Sequence, residues 1–180
     1  MLEDERLIWE LKRGDKEALR QIYMKYKDNM LTIAASLLHD TCAAEDVLHD
    51  VFVSFAAGVG RLELRVSLRN YLMSSVVNRV RDRFRKKKHH MVELGKAGQI
   101  GSDSDGPVQS AIFDEQLQLL VDALFELPLE QRETIVLHLN GGMKFKEIAQ
   151  MQHIPINTVQ GRYRYGLNKL RTILSGESKI

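Results

Sequence analysis

The chain is predicted to be all-α: two small helical domains joined by a flexible linker, with a helix-turn-helix in the second. Three observations carry this. Apolar residues recur at helical spacing along most of the 180 residues, and nowhere do they alternate with polar ones long enough to demand a strand. Only three prolines interrupt the sequence. One segment, Met91 to Ser110, loses the periodicity and contains Gly95, Gly98, Gly101, Gly106, Pro107 and three serines, a linker composition. The expected division is residues 1–90, a linker over 91–111, and residues 112–180.

The first helix is expected after Gly14, where Asp15 can cap it, with Leu19, Ile22, Tyr23, Tyr26, Met30, Ile33 and Leu37 on one face. The second starts at Asp40 or Thr41. Its stripe is Ala44, Val47, Leu48, Val51, Phe52 and Phe55, and it ends near Gly58 and Gly60. A third runs from about Leu68 to Lys88 with Leu68, Leu72, Val76 and Val80 inward, so three helices make the first domain. Beyond the linker, Phe113, Leu117, Leu120, Val121 and Leu124 mark a helix. Pro128 opens the next at a tolerated first-turn position, and "GG" after Asn140 stops it.

Composition excludes several classes. A lone Cys42 cannot form an internal disulfide, and the acidic start "MLEDERLIWE" is unlike a secretion signal, which points to the cytoplasm. The uncharged, largely apolar runs Asn29 to His39 and Val51 to Gly60 are about half of the roughly 20 residues a membrane helix needs, so no membrane insertion is expected. The net charge of +2 conceals blocks of −4 over residues 1–60, +8 over 61–90, −7 over 91–130 and +5 over 131–180. Two basic blocks separated by an acidic one suggest two contacts with a polyanion. Solvated helix faces explain one such block more easily than two.

The stretch "KFKEIAQMQHIPINTVQGRYRYGLNKLR" pairs a short helix, lined by Phe145, Ile148 and Ala149, with a longer one lined by Val159, Tyr163, Leu167, Leu170 and Leu174. "QHIP" must turn between them. Such a layout, with Arg162, Arg164 and Arg171 on the second helix, is that of a DNA-reading helix-turn-helix; an αα-hairpin used only for packing is the alternative. Asn157, Thr158 and Gln160 lie in its first turn, where short polar side chains can meet base edges.

Two further faces follow from helical wheels. On the 41–57 helix, Asp46, His49, Asp50 and Val53 point outward together, an acidic face with an apolar centre. These groups stand in a row on one convex helix, which suits docking and not the convergent geometry of a hydrolase or metal site. No metal or cofactor is expected. On the 68–88 helix, Asn70, Tyr71, Ser74, Asn78, Arg81 and Arg85 form one exposed arc whose aromatic, amide and basic groups suit unpaired DNA. Tyr71 reads alternatively as a core residue.

These segments resemble a known family. "ELPLEQRETIVLHLNGGMKFKEIAQMQHIPINTVQGRYRYGLNKLR" resembles the carboxy-terminal promoter-reading domain of bacterial sigma factors, in which "LP", an Arg, "EIA" and "TV" recur in this order before a basic helix. "AEDVLHDVFVSF" resembles the polymerase-binding helix of the same family. "SLRNYLMSSVVNRVRDRFRKKK" resembles its minus-ten helix, with Asn78, Asp82 and Arg85 matching and Tyr71 at a usual tryptophan. Two small domains with no other sigma modules are similar to the extracytoplasmic-function (ECF) type of the sigma-70 family. Some positions depart from the pattern: His153 stands at the turn glycine, Pro155 at the capping serine, Gln152 at an apolar residue, and Gln160 and Gly161 at a Lys and a Ser.

The resemblance implies a non-enzymatic subunit that binds core RNA polymerase through Asp46, His49, Asp50 and Val53, and promoter DNA, both duplex and melted. It assigns the minus-ten element to Arg61, Arg65, Asn70, Tyr71, Ser74, Asn78, Arg81 and Arg85, and the minus-thirty-five element to Asn157, Thr158, Gln160, Arg162, Arg164 and Arg171. It also implies an anti-sigma factor as a restraining partner, and a linker whose Asp103 and Asp105 imitate RNA in polymerase channels. A stand-alone helix-turn-helix regulator that never joins polymerase is the alternative function.

Overall fold

The computed structural model describes residues 2–64, 66–93 and 113–176. Among them the regular elements are all helical: α1 (Leu2–Lys12), α2 (Lys16–Leu38), α3 (Thr41–Gly58), a 3-10 turn (Val59–Arg61), α4 (Leu68–Glu93), α5 (Phe113–Phe125), α6 (Leu129–Leu139), α7 (Phe145–Gln152) and α8 (Ile156–Leu174).

Local chemistry sets several boundaries. The Asp15 carboxylate accepts from the Glu17 N–H at 2.8 Å to start α2, and Asp40 accepts from the Ala43 N–H at 2.9 Å to start α3. Each such cap contributes about 1 kcal/mol. At the end of α7, the His153 N–H returns to the Gln150 carbonyl and the Ile154 N–H to the Ala149 carbonyl. That pair of bonds is a Schellman closure, and it places His153 at φ 54°, where the sequence pattern would usually put glycine. Histidine tolerates the left-handed region better than branched residues do.

Several features differ from the sequence expectation; Leu120 and Leu174, expected on the apolar stripes of α5 and α8, are exposed. A fourth helix, α1, precedes the expected three, and it buries Leu7, Ile8 and Leu11 against α2. Its acidic end is held there by Lys25 and by the Tyr26 hydroxyl, which donates to Asp4 at 2.8 Å. Burial, with the Asp4 carboxylate, pushes the Tyr26 phenol up to about 12, so it remains a donor. Tyr23, expected on the buried stripe of α2, is 38% exposed and meets Phe52 edge-on at 4.8 Å. Helix α4 continues to Glu93, past the expected end near Lys88.

The larger difference lies between the two halves. Helices α1 to α4 pack around Ile22, Met30, Ile33, Val47, Val51, Phe55, Leu72 and Val76, and the same apolar cluster continues into Val136, Leu137, Met143, Ile148, Ala149 and Val159 of the last helices. A smaller cluster joins Leu124, Leu127, Ile135 and Leu170. Polar groups close the seam: the Asn29 amide donates to the Asn140 carbonyl at 3.0 Å, and the Arg132 guanidinium donates to the Leu37 carbonyl at 3.0 Å. Arg132 also lies 4.0 Å over the Phe125 ring. Burial lowers its pKa to about 10, which leaves it charged at neutral pH.

Candidate polymerase and promoter interface

On α3, Asp46, His49, Asp50 and Val53 are all exposed, as the wheel requires, with Val53 at 54%. The acids are not bare. Asp46 pairs with Arg83 at 3.1 Å and Asp50 with Arg79 at 3.9 Å, both from α4. These exposed pairs are each worth well under about 1 kcal/mol, so the carboxylates remain available to a better partner. Beside them a groove of about 640 Å³ opens between α2 and α3, floored by Leu19, Tyr23, Leu31, Leu48, Phe52 and Val53. An apolar trough edged by acids is a docking surface of mixed character.

Helix α4 departs from its expected exposed arc. Asn78 and Arg85 are exposed, Arg85 within reach of Asp82 at 2.8 Å, and Arg61 is exposed on the 3-10 turn. Asn70, Tyr71, Ser74 and Arg81 are half-buried. The Asn70 amide donates to Glu147 at 2.8 Å, the Ser74 hydroxyl donates to the Asn70 carbonyl at 2.7 Å, and the Tyr71 ring centroid lies 6.1 Å from that of Phe55. The wheel gave this arc to solvent because no local pattern shows that Glu147 of α7 and Glu133 of α6 reach Asn70 and Arg81, or that Tyr71 meets Phe55 of α3. Arg65 lies outside the described residues, as do Asp103 and Asp105.

At the centre of the seam stands Glu133, with 0% exposure. Arg81 grips both of its oxygens, the Gln152 amide donates to it at 3.3 Å, and the Arg162 guanidinium donates to Gln152 at 3.0 Å. A continuous chain, Arg81–Glu133–Gln152–Arg162, thus links α4 to α8. Burial pushes the Glu133 carboxyl above its ordinary value of 4.5 while Arg81 pulls it back, and the carboxylate in turn holds the Arg81 guanidinium up. Gln152, a departure from the family pattern in sequence, has a polar task here. Sequence reasoning missed Glu133, although an acid directly preceding the largely apolar run "TIVLHL" is the signal that could have found it.

On α8, Asn157, Thr158, Gln160, Arg164 and Arg171 are exposed, whereas Arg162 is half-buried and turned toward α7 through Gln152. The structure therefore separates the two arginines that sequence grouped. Tyr165 was also missed. It is 60% exposed, with the Arg164 guanidinium 5.2 Å over its ring. Pro155 starts the helix without a capping side chain, and its carbonyl accepts from the Thr158 N–H at 3.0 Å. Among the described residues no three His, Cys, Asp or Glu side chains are grouped to hold a metal, and no helix is long and apolar enough to cross a membrane.

Comparison with known proteins places both halves. Sigma-70 region 2 matches residues 22–90, and Sigma-70, region 4 matches residues 117–170. The ECF RNA polymerase sigma factor SigW of Bacillus subtilis is 26% identical over 173 residues, covering 91% of this chain and 92% of that protein. RNA polymerase sigma factor CarQ of Myxococcus xanthus is 27% identical over 170 residues, covering 93% and 94%. Among solved structures, the sigma factor RpoE bound to the anti-sigma factor NepR from Bartonella quintana has a TM-score of 0.75 at 25% identity, covering 87% of this chain and 96% of that one. CnrH in complex with the cytosolic domain of CnrY shares the fold at a TM-score of 0.70 and 21% identity. The two regions occur together in this chain, region 2 before region 4. The chain belongs to the ECF sigma factors of the sigma-70 family, non-enzymatic subunits that direct promoter-specific transcription initiation with RNA polymerase.

Proposed function

We propose that the described arrangement is a closed form of this sigma factor, and that core polymerase binding separates its two regions so that α4 and α8 reach the promoter. The observation that carries this is the pairing of Asn70 with Glu147 and of Arg81 with Glu133. A guanidinium that holds both oxygens of a buried carboxylate cannot at the same time follow a DNA backbone.

In the open form the α3 face, Asp46, His49, Asp50 and Val53 with the adjoining groove, docks on a basic surface of the polymerase, as its charge favours. Asn78, Arg81 and Arg85, with Tyr71, Asn70 and Ser74, then engage the minus-ten element and assist its opening by holding unpaired bases. Arg61 and Arg65 contribute from the preceding loop. Helix α8 reads the minus-thirty-five element with Asn157, Thr158, Gln160, Arg164 and Arg171; Arg162 joins only if its bond to Gln152 is released. Residues 91–111 tether the two regions. An anti-sigma factor is proposed as the cytoplasmic partner that prolongs the closed state; the similarity to RpoE, solved with NepR, supports it.

The test is transcription from genomic DNA by purified core polymerase with and without the chain. Discrete promoter-dependent transcripts are expected only with it. Identical start sites in both reactions would remove the proposal.

A further inference from the structure

Helix α8 carries two interior glycines, and the structure explains only one. Gly166 is buried, and a Cβ there would stand 2.7 Å from Ile135 Cδ1 and 3.3 Å from Gln131 Cβ, so the close approach of α6 and α8 requires its absence. Gly161 is half-buried but has room for a side chain. A Cβ there would meet nothing nearer than Tyr165 Cε2 at 4.0 Å, and the backbone is helical and not left-handed. Glycine inside a helix is destabilising relative to alanine. The fold therefore bears a cost at Gly161 that no packing contact repays.

Its position indicates the reason. Val159, Gly166 and Leu170 are the buried positions of α8. Gly161 lies two residues after Val159, about 200° around the helix, at the middle of the outward face. One turn before it stands Asn157, and about one turn after it stand Arg164 and Tyr165, all exposed. Bare backbone at that point lets a helix settle deeper against whatever it faces. Depth matters most to Asn157. An asparagine amide can bond an adenine edge in two places, but its side chain is short and reaches only when the helix sits close to the bases.

We infer that Gly161 is a specificity-determining residue, a notch that seats α8 deep enough in the major groove for Asn157 to read a base edge directly. This rests on the reading of α8 as the minus-thirty-five helix. Tyr165 forms one wall of the notch, and Arg164, stacked on that ring, is thereby aimed along the same face.

The experiment compares Gly161→Ala with the unaltered chain in two measurements: thermal unfolding, and selection by holoenzyme from a duplex pool randomised across the upstream element. The melting temperature is expected to rise by about 2 °C, because alanine is the better helix former and has room. Preference at the base pairs under the notch is expected to fall about tenfold, the loss of one direct base contact. A raised melting temperature with unchanged preference overturns the inference. A lowered melting temperature also overturns it, by showing that the fold needs the glycine. Arg164→Ala runs in parallel: if it weakens upstream selection and Gly161→Ala does not, the notch fails and the reading of α8 stands; if neither alters selection, both fail.

Discussion

Arg81→Ala is expected to open the molecule. The substitution leaves the Glu133 carboxylate, at 0% exposure, without the guanidinium that compensates its burial. Breaking a buried pair from one side costs about 3 to 5 kcal/mol. The lower end applies here, since Arg81 itself keeps 36% of its side-chain surface in water. The penalty is relieved if the regions part and Glu133 is rehydrated, and a loss of about 3 kcal/mol shifts a closed–open equilibrium by more than a hundredfold. The radius of gyration in X-ray scattering should increase while the helical circular dichroism stays constant. An unchanged radius would mean that the shared apolar cluster alone keeps the regions together.

Reversing the α3 face, Asp46→Lys with Asp50→Lys, is expected to weaken core-polymerase binding by at least about a hundredfold, the scale of losing close charge pairs across an interface. Locally each new lysine meets Arg83 or Arg79, but these pairs are exposed and contribute little, so the melting temperature should move by no more than a few degrees. Fluorescence anisotropy of the labelled chain against core polymerase measures the loss. Undiminished affinity would assign docking to another surface.

How much of this was legible in the sequence depends on how local the cause is. Asp15 and Asp40 cap helices through residues two and three positions away, and the stripes of α2, α3 and α8 repeat within a few turns, so these elements could be read directly. Helix α1 could not. Its three buried residues sit in a charged segment, and much of what holds it comes from Lys25 and Tyr26 of the next helix. The α4 arc failed for the same reason at longer range: Glu133 lies 52 residues from Arg81, and Glu147 lies 77 from Asn70. The family resemblance points to α4 and α8 as promoter surfaces, and packing separates Arg162, held at the seam through Gln152, from Arg164 on the outward face.

The claim that this chain must open to work is tested most directly by preventing it from opening. Asn29 and Asn140 are bonded across the seam at 3.0 Å, and neither is a proposed polymerase or promoter contact. With the native thiol removed as Cys42→Ser, Asn29→Cys and Asn140→Cys can be joined by a short, cleavable thiol crosslinker. The crosslinked chain is expected to give no promoter-dependent transcription with core polymerase, and cleaving the linker is expected to restore it; equal transcription before and after cleavage would show that the chain works without opening.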